Sequence, residues 1–314
     1  MRKIKWLVQD VGLSIQNTHQ EFLTLQKLNF SYAGFGLIPF TERITNLENV
    51  LADPEEGFII RGGTKILTLL EKLSSLRDCA PELSEYQLSY SGQYLQQLKS
   101  AIFYNEKNFD QYYYSSLGLP LLNERATYCE IEDNLHRTWN YPVFMKPSLD
   151  QKSFTAAIVP PGMSVLQCIE SQPHQSSYIK EKICVAPVRE ISREYRFFVV
   201  CSQVITGSLY KCGSQVVTSP EIPQDILECA RSYARLYCPH DVFTMDLCVC
   251  DKGIKIVEYN CWNASGLYKT DVNKIFLAVQ DYKLEALRKL KFKSDVHEPG
   301  GSRTISTFKS AGAS

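Results

Sequence analysis

The stretch from Phe243 to Asn260 restricts the possible folds more than any other part of the chain. Phe243-Thr-Met-Asp246-Leu-Cys-Val-Cys250 and Ile254-Lys-Ile-Val-Glu258-Tyr-Asn260 are both β-rich, and Asp251-Lys252-Gly253 lies between them. Such a pair predicts an antiparallel hairpin with a three-residue loop, Gly253 supplying the positive φ that the loop requires. With Cys250 opposite Ile254, Asp246 stands directly opposite Glu258, and the period of two puts Asn260 on the same face. Opposed like charges destabilise a sheet, so this face needs water or a cation. Two carboxylates and an amide oxygen are hard donors, suited to Mg²⁺ held partly by substrate phosphates. A solvated face is the other reading; the apolar flanks Val257, Tyr259 and Cys261 favour the metal.

A second hairpin is read from Glu194-Tyr-Arg196-Phe-Phe-Val-Val200, a turn at Cys201-Ser202-Gln203, and Val204-Ile-Thr-Gly207-Ser208-Leu-Tyr210. Symmetric pairing puts Arg196 opposite Ser208 and Glu194 opposite Tyr210. A forked cation with a hydroxyl, a carboxylate and a phenol beside it can recognise phosphate or carboxylate. An exposed Arg–Glu pair of little energetic weight is the alternative. Lys146 closes the apolar strand Tyr141–Lys146, and Lys152 precedes a further strand, Phe154–Val159, stopped by Pro160-Pro161-Gly162. The two lysines give a pair of cations at one strand-loop-strand edge, as a polyphosphate would need.

Around these pieces, Gly57–Arg61 reads as a buried strand entering a glycine turn, followed by a leucine-rich amphipathic helix over 65–73. The aromatic-rich stretch 94–119 predicts a helix closed by Gly118 and Pro120. A short helix is expected at Val165–Ser171, a strand at Ile183–Val188 and a helix at Gln224–Tyr237. The tail Asp295–Ser314, poor in large apolar groups, is expected to lie outside the fold.

Composition then bounds the partners. The 34 basic and 34 acidic residues cancel, which removes the electrostatic case for nucleic acid or a polybasic membrane anchor. The apolar run Trp6-Leu7-Val8 is too short for a signal-peptide core, and no long apolar stretch predicts a membrane span. Eleven cysteines contain no CxxC pair, so reduced thiols in a cytoplasmic setting are expected rather than a zinc site. No GxxxxGK[ST] phosphate loop occurs, and His19, His136, His174, His240 and His297 have no motif context.

Taken in order, these pieces resemble an ATP-grasp protein, and more narrowly the bacterial and phage-associated R2K clade. The resemblance rests on Ile59-Ile-Arg61-Gly, Phe144-Met-Lys146-Pro with Asp150, Lys152, Phe154 and Thr155, Glu194-Tyr-Arg196-Phe-Phe-Val-Val, Gly207-Ser208-x-Tyr210, Asp246 with Val257-Glu258-Tyr-Asn260, and Ser265-Gly-Leu-Tyr268. It covers roughly residues 57–280. It implies an α+β class, with two α+β subdomains clamping ATP behind a small α/β lobe. The corresponding bounds are 1–95 for the lobe, 96–290 for the ATP-grasp domain and 291–314 for a disordered tail.

The resemblance implies an ADP-forming carboxylate–amine ligase working through an acyl phosphate, on an amino acid, peptide or protein acceptor. A non-catalytic ATP-binding protein and an ATP-dependent phosphotransferase are the alternatives. Lys146, Lys152, Ser208 and Tyr210 would contact the nucleotide, with Val185, Ala186 and Val188 facing adenine. Asp246, Glu258 and Asn260 would hold Mg²⁺ or Mn²⁺. Arg196 and Lys152 would serve the transfer, while Arg61 and Arg196 would hold the substrate. Ala186 stands where relatives carry a hinge acid, and residues 151–156 lack the usual glycine.

Overall fold

The computed structural model describes residues 3–11, 15–37, 44–46, 57–63, 99–149, 154–172 and 181–296. The amphipathic helix expected over 65–73 lies outside these residues, as do residues 297 onward of the expected tail; its residues 291–296 instead end the last helix. The chain opens with β1 (Ile4–Val11), α1 (Ile15–Lys27), β2 (Ser31–Leu37), β3 (Ile44–Thr45) and β4 (Gly57–Arg61). They form a sheet of order β3-β2-β1-β4 in which β1 pairs parallel with both β2 and β4. Parallel neighbours require a crossover, and α1 supplies it between β1 and β2. Asn29, at φ 54°, ends that helix in the left-handed conformation asparagine tolerates.

The segment 94–119 departs from the single helix expected. Its described part holds two short helices, α2 (Glu106–Phe109) and α3 (Gln111–Ser115). Asn105 and Asp110 both have extended backbones and accept from the amides of Asn108 and Tyr112. Two caps five residues apart cut the run into separate turns, a competition that Asn and Asp side chains win over helix propagation.

Beyond lie β5 (Thr127–Glu130), β6 (Val143–Pro147), β7 (Ala157–Val159), α4 (Val165–Glu170) and β8 (Lys182–Pro187). The strands form an antiparallel sheet of order β5-β8-β6-β7. Ser164 and Gln167 close a reciprocal capping box on α4, whose Val165, Cys168 and Ile169 pack on Val143, Met145 and Val185.

The third sheet, β11-β10-β9-β12-β13, holds β9 (Ile191–Val200), β10 (Gln203–Cys212), β11 (Gln215–Ser219), β12 (Val242–Cys250) and β13 (Gly253–Cys261). Alternation decides what each face does. Tyr195, Phe197, Val199, Phe243, Met245, Leu247 and Tyr259 point to one side, where α5 (Gln224–Leu236) lays Ile226, Ala230 and Ala234 at four-residue spacing. On the other side Phe198, Val200 and Val242 join a core with Trp6, Val8 and Ile59 of the first sheet. The last helix, α6 (Val272–Val296), closes that core with Val272, Ile275, Phe276 and Val279. Further along this same face the side chains become polar: Glu194 and Arg196 on β9, Asp246 on β12, Glu258 and Asn260 on β13.

Candidate active site

The acidic hairpin forms with a different register at its turn. Gly253 takes φ +88° and pairs with Cys250, and Val249, not Cys250, lies opposite Ile254. The ladder would then be one residue out of phase at the site. An irregularity between the Leu247–Ile256 and Asp246–Glu258 pairs leaves Val257 as an extra residue and restores the phase. Asp246 therefore does face Glu258, and Thr244 faces Asn260. The second hairpin behaves alike. Cys201 and Ser202, at φ 48° and 64°, form a two-residue turn rather than the three-residue one expected. Arg196 pairs with Ser208 as expected, but a bulge at Tyr210 puts Lys211 opposite Glu194.

These strands bring four charged groups together. Arg196 grips Asp246 through two parallel bonds, Nε to Oδ1 at 2.8 Å and Nη2 to Oδ2 at 2.7 Å. Both residues are buried. Lys146, reaching over from β6, pairs with Glu258. Asn260 Nδ2 donates to Asp246 Oδ2 at 3.3 Å and to Glu258 Oε1 at 3.2 Å. That orientation leaves Asn260 Oδ1 buried with no hydrogen-bond partner among the described residues, and the Ser208 hydroxyl is likewise buried and unpartnered. Glu194 accepts from the Tyr210 hydroxyl at 2.6 Å and from Lys211 Nζ at 2.8 Å. Burial first, then the Asp246 and Glu194 carboxylates, push the Tyr210 phenol far above its ordinary range, so it stays a donor.

A cleft of about 520 Å³ opens between the second and third sheets. Phe144, Ile158, Val188 and Val257 give it apolar walls; Lys146, Arg189, Glu194, Lys211 and Glu258 give it charge, and Tyr210 adds a neutral phenol. A smaller space of about 260 Å³ beside it also touches Lys146 and Glu258. Of the three hinge residues expected to face adenine, only Val188 lines the cleft, with Pro187 and Arg189 as its neighbours. Val185 packs into the core against α4, and Ala186 is buried.

Arg61 is placed elsewhere. Its guanidinium is taken up by Glu21 at 2.8 Å, by the carbonyls of Trp262 and Ser265, and by the Trp262 ring 4.7 Å away. It is a buried tie between the first sheet and the segment after β13, with no arm left for a substrate. Lys152 lies outside the described residues.

Lys211 and Arg189 were not singled out from sequence as site residues, and Glu194 was read only as part of the Arg196 face. Each follows or precedes a bulge or strand end, where period-two counting fails. The Glu-x-Arg pair at 194 and 196 was the available signal for Glu194.

A cleft between two antiparallel sheets, with Lys146 from one and opposed carboxylates from the other, agrees with an ATP-grasp fold. Residues 124–278 match the family model of the ATP-grasp domain, R2K clade family 2, and the chain carries a domain of that family. No curated protein matches the sequence. Among solved structures, the D-alanine–D-alanine ligase of Bacillus anthracis aligns with a TM-score of 0.51 at 12% identity, over 94% of this chain and 100% of that one. The ATP-grasp ligase PsnB in complex with a minimal precursor aligns with a TM-score of 0.51 at 11% identity, over 90% and 99%. At such identities the likeness establishes the fold.

Proposed function

We propose that the cleft binds ATP with Mg²⁺ and that the protein is an ADP-forming ligase joining a carboxylate to an amine. The observation that carries this reading is the adjacency of two cation–carboxylate pairs, Arg196–Asp246 and Lys146–Glu258, the second of which lines the cleft. Its volume suits a flat base and a short anionic tail. On this reading residues 96–290 are the catalytic domain and 1–95 the preceding lobe.

The donor set fits a hard cation. Among the described residues no group of three or more His, Cys, Asp or Glu could hold a metal. Asp246, Glu258 and Asn260, its amide turned so that Oδ1 rather than Nδ2 meets the carboxylates, would hold Mg²⁺, the remaining positions falling to phosphate oxygens and water. When bound, the ion offsets phosphate charge and acts as a Lewis acid. Lys146 and Arg196 would neutralise phosphoryl oxygens, and Ser208, buried opposite Arg196, would offer its free hydroxyl. Glu194 keeps Tyr210 and Lys211 in place on the cleft wall.

In the reaction a carboxylate oxygen bonds to the terminal phosphorus of ATP and ADP leaves. The amine nitrogen then bonds to the acyl carbon, phosphate departs and the amine gives up a proton. The protein's share is alignment and charge compensation. The likeness to a D-alanine–D-alanine ligase and to PsnB, which was seen with a minimal precursor, supports an amino acid or peptide as acceptor. The test is ADP release against pooled amino acids and peptides, with mass spectrometry for the condensation product. A stable phosphorylated product would instead identify a phosphotransferase; nucleotide binding without any product would identify a non-catalytic protein.

A further inference from the structure

Arg196 poses a difficulty for any anion-binding role, because Asp246 already holds it through two bonds. Those bonds use Nε and Nη2 only. Nη1 has no hydrogen-bond partner among the described residues, and it faces Gly266: a Cβ built there would stand 3.9 Å from Nη1. A stacked pair of aromatic rings lies beside the same guanidinium. Its carbon lies 5.5 Å from the Tyr210 ring centroid and 5.3 Å from that of Tyr268. The rings themselves stack at 5.0 Å with their planes 14° apart. Tyr210 is fixed by Glu194. The Tyr268 hydroxyl has no hydrogen-bond partner among the described residues, so what this residue contributes is its face.

Tyr268 also holds φ at +51°. A non-glycine residue in that region is strained and persists only where its surroundings enforce it. Here the surroundings are the turn between β13 and α6, just after the carboxylate strand. The turn brings Gly266 and the Tyr268 ring side by side at one guanidinium arm.

We propose that Tyr268 is a positioning residue for Arg196, and that Tyr268 and Gly266 together present Nη1 to an oxygen of the transferable phosphoryl group. The inference rests on the nucleotide reading of the cleft. Asp246 fixes the guanidinium in its plane; the aromatic faces stop it from tilting. The bare Cα of Gly266 leaves room for the oxygen. Arg196 thereby serves a bound anion without releasing Asp246.

Calorimetry with Mg·ATP and Mg·ADP on the full chain tests this, because only ATP carries the phosphoryl group in question. Wild type should bind ATP more tightly than ADP. Tyr268→Leu bears the same backbone cost as tyrosine but lacks the ring. Its ATP-over-ADP preference should fall about tenfold, the size of a desolvated cation–π contact, with ADP affinity unchanged. Tyr268→Phe should keep the wild-type preference. If Tyr268→Leu also loses ADP binding through misfolding, Gly266→Ala decides in its place. Its Cβ would meet the Tyr268 ring at 3.6 Å, ordinary contact, and it should lose the same preference. An unaltered ratio in the deciding variant overturns the proposal and leaves the nucleotide reading standing. Wild type that binds neither nucleotide overturns both, and equal affinity for ATP and ADP removes the phosphoryl contact alone.

Discussion

Asp246 and Glu258 face each other across one rung, yet deleting them should cost very different amounts. Asp246 and Arg196 are both buried, so Asp246→Ala strands an unpaired guanidinium, at about 3–5 kcal/mol. Glu258 and Lys146 keep 24% and 13% of their side chains exposed, and water can replace either partner. Glu258→Ala should therefore lose about 1 kcal/mol or less of stability. Thermal melts of the two variants separate them, and equal losses would contradict the burial argument. Both should abolish Mg·ATP turnover, but only Glu258→Ala isolates the chemistry from the fold.

Residue-level reading of the sequence reached these groups because opposed carboxylates are conspicuous at any register near the right one. It missed Lys211 because a bulge makes two consecutive residues, Tyr210 and Lys211, serve the same buried carboxylate, and strict alternation forbids that. Val257 and Glu258 both line the cleft for the same reason. Arg61 misled for another cause: a guanidinium beside glycines looks the same whether its partners are substrate oxygens or carbonyls two hundred residues away.

At the scale of single elements, strand β10 depends on Gly207. A Cβ there would lie 2.6 Å from Phe197 Cδ1 and 2.8 Å from the Arg196 carbonyl. The carbonyl is backbone and cannot swing aside. Gly207→Ala should cost about 1–3 kcal/mol, read by chemical denaturation, and a neutral effect would show that the strands can separate locally.

Helix α6 carries an unusual group, Lys283, which is 3% exposed and donates to the Ser100 carbonyl and hydroxyl. Burial draws its ammonium down to about 8. The unfolded chain binds that proton up to about pH 10.4, so between these values it holds more protons than the native state. Lys283 therefore weakens the fold below pH 8, and the penalty fades as pH rises. Buried thiols work in the opposite sense: burial lifts Cys184 to about 11 and Cys248 to about 12, and both lower stability above pH 9. The difference between wild type and Lys283→Met removes that shared background. It should move in favour of wild type by on the order of 3 kcal/mol between pH 7 and pH 10.5. A flat difference would mean that Lys283 stays charged or stays solvated.

For the whole molecule, the first sheet and the third share one core. Trp6, Val8 and Ile59 touch the cluster that holds Phe198, Val242 and Phe276. Asn263 stitches the same boundary: it donates to the carbonyls of Ile60 and Ala101 and accepts from the Phe103 amide at 2.7 Å. The lobe and the third sheet should accordingly unfold in one transition. Arg61→Met leaves Glu21 buried without its cation and should cost about 3–5 kcal/mol. Calorimetry should show a single, downshifted peak; two resolved peaks would mean that the lobe folds on its own.

The strand Gly57–Arg61, the hinge strand and both hairpins were legible in the sequence, because β-rich runs with turn residues between them carry their own phase; the parallel pairing of the lobe was not. Nor was the shared core. It joins residues from the two ends of the chain, and no local pattern says which apolar face will meet which. Among the described residues no helix is long and apolar enough to cross a membrane.

The three tryptophans of the chain are Trp6, Trp139 and Trp262. Trp6 and Trp262 are fully buried at that shared boundary, with ring centroids 6.0 Å apart and planes at 67°. Two indoles at that separation and inclination couple as excited-state dipoles and give a paired circular-dichroism band that neither would give alone. One indole sits in the lobe and the other stands two residues past Asn260, with Arg61 against its face. The molecule thus carries an optical gauge of its own assembly, read without a label, whose couplet vanishes when the lobe leaves the sheet and shifts when β13 moves.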